Sequence, residues 1–195
     1  MDGTPREPSR EKMKHATTPS GWRALQVVIL LLMPLHSATA QSASEYQVKA
    51  AFLYNFAKFI EWPPSTFPDA SMPFRICIFG RDPFGQELRD MVNEKTVNGR
   101  KLEIDYMVDV QLAKACHILF IASSEKARLK QILESLQGSV ALTVGDTEGF
   151  AEQGGMINFV LDHDRVQFKV NRSAAELAGL RISSKLLTVA KLVIG

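Results

Sequence analysis

Two apolar runs decide the fold of this chain: His117-Ile118-Leu119-Phe120-Ile121-Ala122 and Ser139-Val140-Ala141-Leu142-Thr143-Val144. Neither run alternates strictly between apolar and polar residues, which predicts strands covered on both faces. A helical stretch separates them, beginning at Ser123 or Ser124 and ending at Gly138. A strand, a helix and a second strand in this order are typical of an α/β layered domain.

The same alternation of strands and helices extends upstream of these runs. It predicts a strand over 74–79 ended by Gly80, a helix from Asp82 and Pro83 to about Asn93, a strand over 101–107 and a short helix over 110–115. Asp82 supplies a capping carboxylate for the helix, and Pro83 suits its first position.

The last third of the chain changes character. Strands over 156–161 and 165–170 flank Asp162-His163-Asp164, which predicts a hairpin. Ser173-Ala174-Ala175-Glu176 is a capping box for a short helix that stops at Gly179, and residues 183–192 predict a closing apolar helix. The prediction is therefore an α/β fold, a single layered domain with a mixed β-sheet flanked by helices.

A mostly apolar helix opens the domain. Ser44-Glu45-Tyr46-Gln47 is a capping box, which places the helix start near Glu45. The helix runs to about Ile60, because Trp62-Pro63-Pro64 cannot continue it. Two apolar stripes leave a polar face of only Lys49, Lys58 and Glu61. A helix of this kind is buried on most sides, in the core or against another chain.

Residues 1–40 have the pattern of a leader with a cleavable secretory signal. A basic lead-in precedes the apolar run from Ala24 to Leu32, and Ala38-Thr39-Ala40 is a cleavage pattern, so we predict cleavage after Ala40. The alternative is a membrane anchor, but the run is about half of the roughly 20 apolar residues that a span needs. We expect a leader over 1–40 and an α/β domain over 41–195, exported to the periplasm.

Processing also changes the charge. The full chain has 23 Lys and Arg against 21 Asp and Glu, a net charge of +2. The leader contains five of the basic and three of the acidic residues, so the exported domain has 18 of each and is neutral. A neutral domain gives no support for a nucleic-acid partner.

The two cysteines, Cys77 and Cys116, both lie in the exported domain. An even pair in an oxidising compartment predicts a disulfide, with two buried thiols or a metal site as alternatives. A metal site lacks further ligands, because only His117 adjoins a cysteine and His163 lies in the predicted turn. We therefore expect no metal and no cofactor.

Three motifs resemble catalytic or phosphate-binding patterns without completing them. Gly80-Arg81-Asp82-Pro83-Phe84-Gly85 follows a strand like a phosphate loop, but Gln86 and Glu87 stand where Lys and Ser or Thr are needed. Ser123-Ser124-Glu125-Lys126 matches S-x-x-K without its companion motifs. Ser183-Ser184-Lys185 has no evident base. We therefore predict no catalytic residue.

One glycine-rich turn is a candidate ligand or partner site. It comprises Asp146, Glu148 and Gly149, with Gly154 and Gly155 soon after, at the carboxyl end of a buried strand. Open α/β sheets bind ligands at such ends. The alternative is structural, since the glycines also suit a helix cap and a helix end.

The chain resembles the YfiR family in five blocks that hold their order from about residue 46 to 193. The blocks are Lys49-Ala50-Ala51-Phe52-Leu53-Tyr54-Asn55-Phe56-Ala57-Lys58-Phe59-Ile60-Glu61-Trp62-Pro63; Arg75-Ile76-Cys77-Ile78 with Gly80-Arg81-Asp82-Pro83-Phe84-Gly85; Cys116-His117-Ile118-Leu119-Phe120-Ile121; Leu142-Thr143-Val144-Gly145-Asp146 with Gly149-Phe150 and Gly154-Gly155-Met156-Ile157-Asn158-Phe159; and Asn171 with Ala174-Ala175 and Ser183-Ser184-Lys185-Leu186-Leu187. The opening and glycine-rich blocks are the specific ones.

The resemblance implies a non-enzymatic periplasmic protein, usually a homodimer, that restrains a membrane diguanylate cyclase by binding its periplasmic part and so lowers cyclic di-GMP. It also implies an outer-membrane lipoprotein that captures the regulator. Cys77 and Cys116 match one family disulfide, whereas the family's second cysteine pair has no counterpart here. The alternative functions are a periplasmic small-ligand sensor and an accessory protein for another membrane receptor such as a histidine kinase.

Overall fold

An eight-stranded mixed sheet forms the centre of the molecule. The computed structural model describes Met1 and residues 37–195, with side chains from Glu45 onward, so most of the predicted leader lies outside the described residues. The strands are β1 (Ile60–Glu61), β2 (Phe74–Phe79), β3 (Thr96–Val97), β4 (Arg100–Met107), β5 (Ile118–Ile121), β6 (Leu142–Gly145), β7 (Ile157–Asp162), β8 (Arg165–Asn171), β9 (Arg181–Ile182) and β10 (Leu192–Ile194).

Helices flank this sheet. They are α1 (Ser37–Phe59), α2 (Gln86–Val92), α3 (Val110–Ala113), α4 (Leu129–Ser135), α5 (Arg172–Leu177) and α6 (Ser184–Val189), with 3₁₀ turns over Pro64–Thr66 and Ser123–Arg128. None of these helices combines the length and the apolarity that a membrane span requires.

The strand order across the sheet is β10-β8-β7-β6-β5-β2-β4-β3. The five strands from β7 to β4 run parallel, and β8 returns antiparallel to β7. At the edges, β10 is parallel to β8 and β3 is antiparallel to β4. β1 and β9 pair separately as a short antiparallel ribbon. The predicted α/β fold with a mixed sheet is therefore confirmed.

The apolar runs form strands because both faces of the sheet are covered, but the second strand begins at Leu142, so the predicted start at Ser139 is three residues too early. All four residues of β5 are buried, with Ile118 and Phe120 in one core and Leu119 and Ile121 in the other. The predicted hairpin is also confirmed, since β7 and β8 pair throughout. Its turn places His163 and Asp164 at φ 49° and 59°, the left-handed region that suits a tight hairpin turn.

The opening helix packs into the first of these cores. Phe52 and Phe56 of α1 lie against Phe159 and Phe168 of the β7–β8 hairpin, with ring centroids 5.3–6.0 Å apart. Leu53 is also fully buried. Of the two burial modes expected for this helix, the structure shows burial in the chain's own core.

The predicted start of α1 is wrong. The helix begins at Ser37 rather than near Glu45, so the capping box at Ser44 lies inside the helix and not at its start. The assignment of Lys49 to a polar face is also wrong, since the residue is 3% exposed.

Two further helix starts also differ. Asp82 and Pro83 lie in a turn before α2, where Asp82 Oδ1 accepts from the N–H groups of Phe84 and Gly85 at 2.8 and 3.3 Å. Asn171, not Ser173, caps α5 by accepting from the Ala174 N–H at 3.0 Å. In both places a side-chain oxygen accepts hydrogen bonds from nearby backbone N–H groups, and the helix starts at a different residue from the one predicted.

The closing helix is shorter than predicted. α6 ends at Val189, and the chain continues as β10 instead of remaining helical to Leu192. The Lys191 N–H donates to the Phe168 carbonyl at 2.8 Å, and the next residues pair with β8. Pairing with the sheet therefore outweighs the helical pattern of this segment.

A disulfide joins Cys77 of β2 to Cys116, the residue two positions before β5. Both cysteines are buried, in the core that contains Phe79, Leu119 and Ile121. The disulfide therefore ties a central strand to the entry of its neighbour.

We expect the double variant C77A/C116A to lose about 3–4 kcal/mol of unfolding free energy, because the link closes a long loop in the unfolded chain. Urea denaturation of both proteins measures the loss. Reductant should lower the midpoint of the wild type and leave that of the double variant unchanged. Equal stability, or free thiols in the unreduced wild type, would contradict this account.

Candidate functional site

A buried ionic cluster lies at the carboxyl end of β6. Asp146 follows this strand, and its Oδ2 accepts hydrogen bonds from the Tyr46 hydroxyl and from Lys49 Nζ, both at 2.8 Å. Lys49 Nζ also lies 2.5 Å from Glu45 Oε1. The side chains of Lys49 and Asp146 are 4% and 7% exposed. We call Glu45, Tyr46, Lys49 and Asp146 the Lys49 cluster.

The spacing along α1 brings three members of the cluster together. Glu45 and Tyr46 precede Lys49 by four and three residues, so all three side chains share one helix face. Lys49 Nζ lies 4.3 Å from the centroid of the Tyr46 ring, which adds a cation–π contact. A buried ammonium group needs such partners, because desolvation of an unpaired charge is costly.

The surroundings of the cluster keep Tyr46 protonated. Burial, followed by the negative charge of Asp146, raises the pKa of the Tyr46 phenol above its usual value near 10. The phenol is therefore a hydrogen-bond donor at neutral pH. The cluster holds a neutral donor, a cation and two carboxylates, which is suited to binding and positioning rather than to nucleophilic attack.

Two buried acceptors beside the cluster have no hydrogen-bond partner within the described residues. They are Asp146 Oδ1 and Asn158 Oδ1. The Asn158 amide nitrogen, in contrast, donates to the carbonyls of Gly145, Thr147 and Phe159 at 3.3, 3.1 and 2.9 Å. Buried polar atoms are usually paired, so the acceptors leave unused capacity for a donor.

A cavity of about 530 Å³ lies next to the Lys49 cluster. Glu148, Gly149 and Asn158 line it together with the cluster, and Phe159, Val160 and Leu161 give it an apolar side. Of the five residues in the predicted glycine-rich site, the structure brings Asp146, Glu148 and Gly149 to this cavity.

Gly154 and Gly155 do not share the cavity. Gly154 lines a separate one of about 570 Å³ between α4 and α5. A Cβ on Gly155 would lie 2.1 Å from the Phe150 ring, and one on Gly145 would lie 2.5 Å from it. Part of the glycine pattern therefore serves to enclose the fully buried Phe150.

The family model DUF4154, described as YfiR/HmsC-like, matches residues 46–191. The chain belongs to this family. No curated protein sequence matches it significantly.

Two solved structures share the fold. A conserved domain protein of Vibrio cholerae has a TM-score of 0.53 at 11% identity, covering 74% of this chain and 60% of that one. The ABC domain of Streptococcus pneumoniae, solved in complex with L-Trp, has a TM-score of 0.55 at 12% identity, covering 77% and 60%. The chain thus spans 60% of each of these structures, and at such identities the likeness concerns the fold alone.

The YfiR/HmsC-like family is regulatory and non-catalytic, and two of the serines considered above, Ser124 and Ser183, make structural contacts in this member, whereas Ser123 lines the cavity beside Asp146. Ser124 Oγ accepts from the Arg81 N–H at 3.0 Å, which ties the loop after β2 to the 3₁₀ turn. Ser183 Oγ caps α6 by accepting from the Leu186 N–H at 3.3 Å. Within residues 45–195, no group of three His, Cys, Asp or Glu side chains is placed to hold a metal ion.

The two histidines among the described residues, His117 and His163, have different environments. His117 is buried, its ring stacks on Phe67 at 4.5 Å, and its Nδ1 accepts from the Arg75 N–H at 2.9 Å. Burial, followed by the positive charges of Arg75 and Arg100, lowers the pKa of His117 to about 4. His163 lies exposed in the hairpin turn, beside Asp162.

The main residues missed from sequence are Tyr46, Lys49 and Asn158. Lys49 is a charged residue in an otherwise apolar stretch of α1, and it lies four positions after Glu45. This spacing is the one sign in the sequence that Lys49 belongs to a buried ion pair. Its carboxylate partner lies 97 residues away along the chain. Only the fold joins them.

We expect Asp146→Asn to lower the unfolding free energy by about 3 kcal/mol, because it leaves the buried Lys49 with only Glu45 as a carboxylate partner. Glu148→Gln is the matched control, since Glu148 lines the same cavity from an exposed position, and its effect should stay below about 0.5 kcal/mol. Urea denaturation at neutral pH measures both. Similar losses in the two variants would contradict a structural role for the ion pair.

We expect the unfolding free energy to fall as the pH drops from about 6.5 to about 4, because His117 is protonated in the unfolded chain over this range and stays neutral in the folded one. The loss attributable to this group is on the order of 2 kcal/mol, reduced from its full value by solvent screening. Denaturation of His117→Asn across this range should lack the loss, because asparagine retains an acceptor and does not titrate. His163→Asn should behave like the wild type; identical profiles for all three proteins would rule out His117 as the source.

Proposed function

We propose that this YfiR/HmsC-like protein restrains a membrane-bound diguanylate cyclase by binding the cyclase's periplasmic part, without catalysing a reaction itself. The observation that carries the proposal is the family match over residues 46–191, which covers nearly all of the predicted exported domain. Family members are periplasmic, so the partner's accessible region is the part that faces this compartment.

The side chains that would be capable of catalysis support a binding role instead, since each is held by contacts within the domain. Asp146 is paired with Lys49, Ser183 caps a helix, and His117 is stacked and hydrogen-bonded. A nucleophile and a base within hydrogen-bond reach would instead favour catalysis. Binding therefore accounts for these contacts better than catalysis does.

A surface at the end of β4 supports contact with a partner. Tyr106, Val108 and Leu112 are 50%, 89% and 60% exposed, and they follow one another from β4 into α3. Exposed apolar side chains that lie close together mark interaction sites. This surface is a candidate for the contact with the cyclase.

The proposal also covers export of the protein to the periplasm and the partners that it meets there. We expect cleavage after Ala40 to release a domain that begins at Gln41, which would remove the first four residues of α1. The domain would act in the periplasm as a homodimer, and an outer-membrane lipoprotein would capture it to lift the restraint. Signal cleavage, the homodimer and the lipoprotein are proposals that rest on the leader pattern and on the family.

Deletion of the gene should raise cellular cyclic di-GMP, because the cyclase would lose its restraint. Complementation with the full chain should restore the level, whereas a variant lacking residues 22–40 should fail for want of export. Mass spectrometry of cell extracts measures the dinucleotide, and immunoblots of periplasmic fractions control for expression. Purified mature domain should also bind the isolated periplasmic part of the cyclase.

An unchanged cyclic di-GMP level, with the protein present in the periplasm of the parent strain, would overturn the cyclase proposal. It would favour the second candidate, a small-ligand sensor or an accessory protein for another receptor such as a histidine kinase. The observation behind this candidate is the cavity beside Asp146, where two buried acceptors have no partner in the part of the chain that the structure describes. Altered output of a histidine kinase in the same deletion strain would identify the receptor class.

A further inference from the structure

The Lys49 cluster contains more negative than positive charge. Its members are two carboxylates, Glu45 and Asp146, one ammonium group, Lys49, and the neutral phenol of Tyr46. Glu148 adds a third carboxylate to the lining of the adjoining cavity. A charge removed from water is stable only where an opposite charge lies near it. The cluster and its cavity therefore favour a second cation.

The other lysine of the cavity does not supply that cation. Lys169 lines the cavity, but its Nζ lies 2.6 Å from Glu152 Oε1, so its charge is already paired. The described lining contains no Arg, no His and no Lys beyond Lys49 and Lys169. Three carboxylates are therefore balanced by Lys49 alone, and the lining is negative.

Two buried oxygen atoms are a second, independent sign of a ligand. Asp146 Oδ1 and Asn158 Oδ1 have no hydrogen-bond partner within the described residues, and both residues line the cavity. The side chain of Asp146 is 7% exposed, and Asn158 is 1% exposed. The other polar atom of each side chain is engaged, Asp146 Oδ2 by two donors and the Asn158 nitrogen by three carbonyls. The remaining atoms are both acceptors, so the group that fits them is a donor.

An apolar wall adjoins these acceptors. Phe159, Val160 and Leu161 follow Asn158 along β7 and line the same cavity. Phe159 is buried, whereas Leu161 is 55% exposed, so the wall includes a core residue and a surface residue. The volume of about 530 Å³ is in the range of small-molecule sites, which combine an apolar lining with a few polar groups.

We propose that this cavity binds a protonated primary amine that has a short apolar group and no acid group. The ammonium group donates to Asp146 Oδ1 and Asn158 Oδ1, and the apolar group lies along Phe159 and Leu161. Glu148 attracts the cation. The inference deepens the second candidate function, the small-ligand sensor, and rests on it, because it names the class of ligand that the sensor detects.

The same contacts disfavour other small ligands. A carboxylate or phosphate ligand would meet acceptors and negative charge, since Lys49 is already held by Glu45 and Asp146. A divalent metal ion needs several oxygen ligands, and no group of three His, Cys, Asp or Glu among the described residues is placed to hold one. Lys49 Nζ, at 2.8 Å from Asp146 Oδ2, also repels a divalent ion more strongly than a monovalent ammonium group.

Isothermal titration calorimetry of the mature protein, purified from the periplasm, tests the proposal with hexylamine as the probe. Hexylamine should bind. Hexyltrimethylammonium has the same charge and no N–H group, so it should bind about tenfold more weakly, because the two buried oxygens then receive no hydrogen bond. Hexanoate, with the same chain and the opposite charge, should not bind.

Three results of this titration would overturn the inference. They are no binding of hexylamine, equal binding of hexylamine and hexyltrimethylammonium, and stronger binding of hexanoate than of hexylamine. Calcium chloride that displaces hexylamine at low concentration would assign the acceptors to a metal ion and would overturn it as well.

Two variants locate the binding. Asp146→Asn presents an amide N–H where the unpaired oxygen lies, so it should weaken hexylamine binding by about tenfold or more. Since this variant is also expected to lose stability, Glu148→Lys gives a second measurement at an exposed position, where the reversed charge should weaken binding by about threefold. Glu103→Lys is the matched control, because Glu103 is exposed on β4 and does not line the cavity. Equal affinities in the two lysine variants would contradict the proposed site.

Failure of this inference is distinguishable from failure of the regulatory proposal. Calorimetry measures the cavity in the free domain, whereas the cyclic di-GMP level measures restraint of the cyclase. Hexylamine binding combined with an unchanged cyclic di-GMP level in the deletion strain would overturn the cyclase proposal alone. No hexylamine binding, combined with weaker binding of the cyclase's periplasmic part to Glu148→Lys, would assign the cavity to a cationic side chain of the partner and overturn the amine inference alone.

Discussion

The buried ion pair between Lys49 and Asp146 constrains the rest of the domain. An ammonium group removed from water is stable only beside its partners, so α1 must lie where Lys49 reaches the end of β6. That placement sets Phe52 and Phe56 of the same helix over the β7–β8 hairpin. One polar contact thus fixes the register of a helix whose apolar surface alone would allow several. Removal of either partner would leave the other charge buried without that compensation, so the pair constrains how the helix packs.

The same pair determines the character of the candidate site. Asp146 uses one carboxylate oxygen for Tyr46 and Lys49, and its other oxygen lies buried without a partner within the described residues. A carboxylate committed in this way is poorly placed to act as a base, since protonation would weaken its bonds to both donors. The cavity beside it is therefore better suited to binding a donor group than to catalysis, in agreement with the non-catalytic family.

The strands were predictable where burial on both faces gives an uninterrupted apolar pattern, as in β2 and β5. The disulfide was predictable from compartment and cysteine count. Contacts between distant segments were not. Lys49 has a helical neighbour in Glu45, but its second partner is 97 residues away, so the local pattern placed it on a polar face. Leu192 and Val193 extend a helical apolar pattern, and only the presence of β8 converts them to a strand. The resemblance identified the family, whereas the site depended on the fold.

The strand order also separates the exposed apolar residues of the domain. β10, with Leu192 and Val193, lies at one edge of the sheet, and β4, which leads into the exposed Val108 and Leu112, lies next to the other edge. Neighbouring strands lie about 4.8 Å apart, so the five strands between β10 and β4 keep these two surfaces well apart. A partner segment that contacts one surface therefore leaves the other accessible, and contacts at both would strengthen binding beyond either one alone.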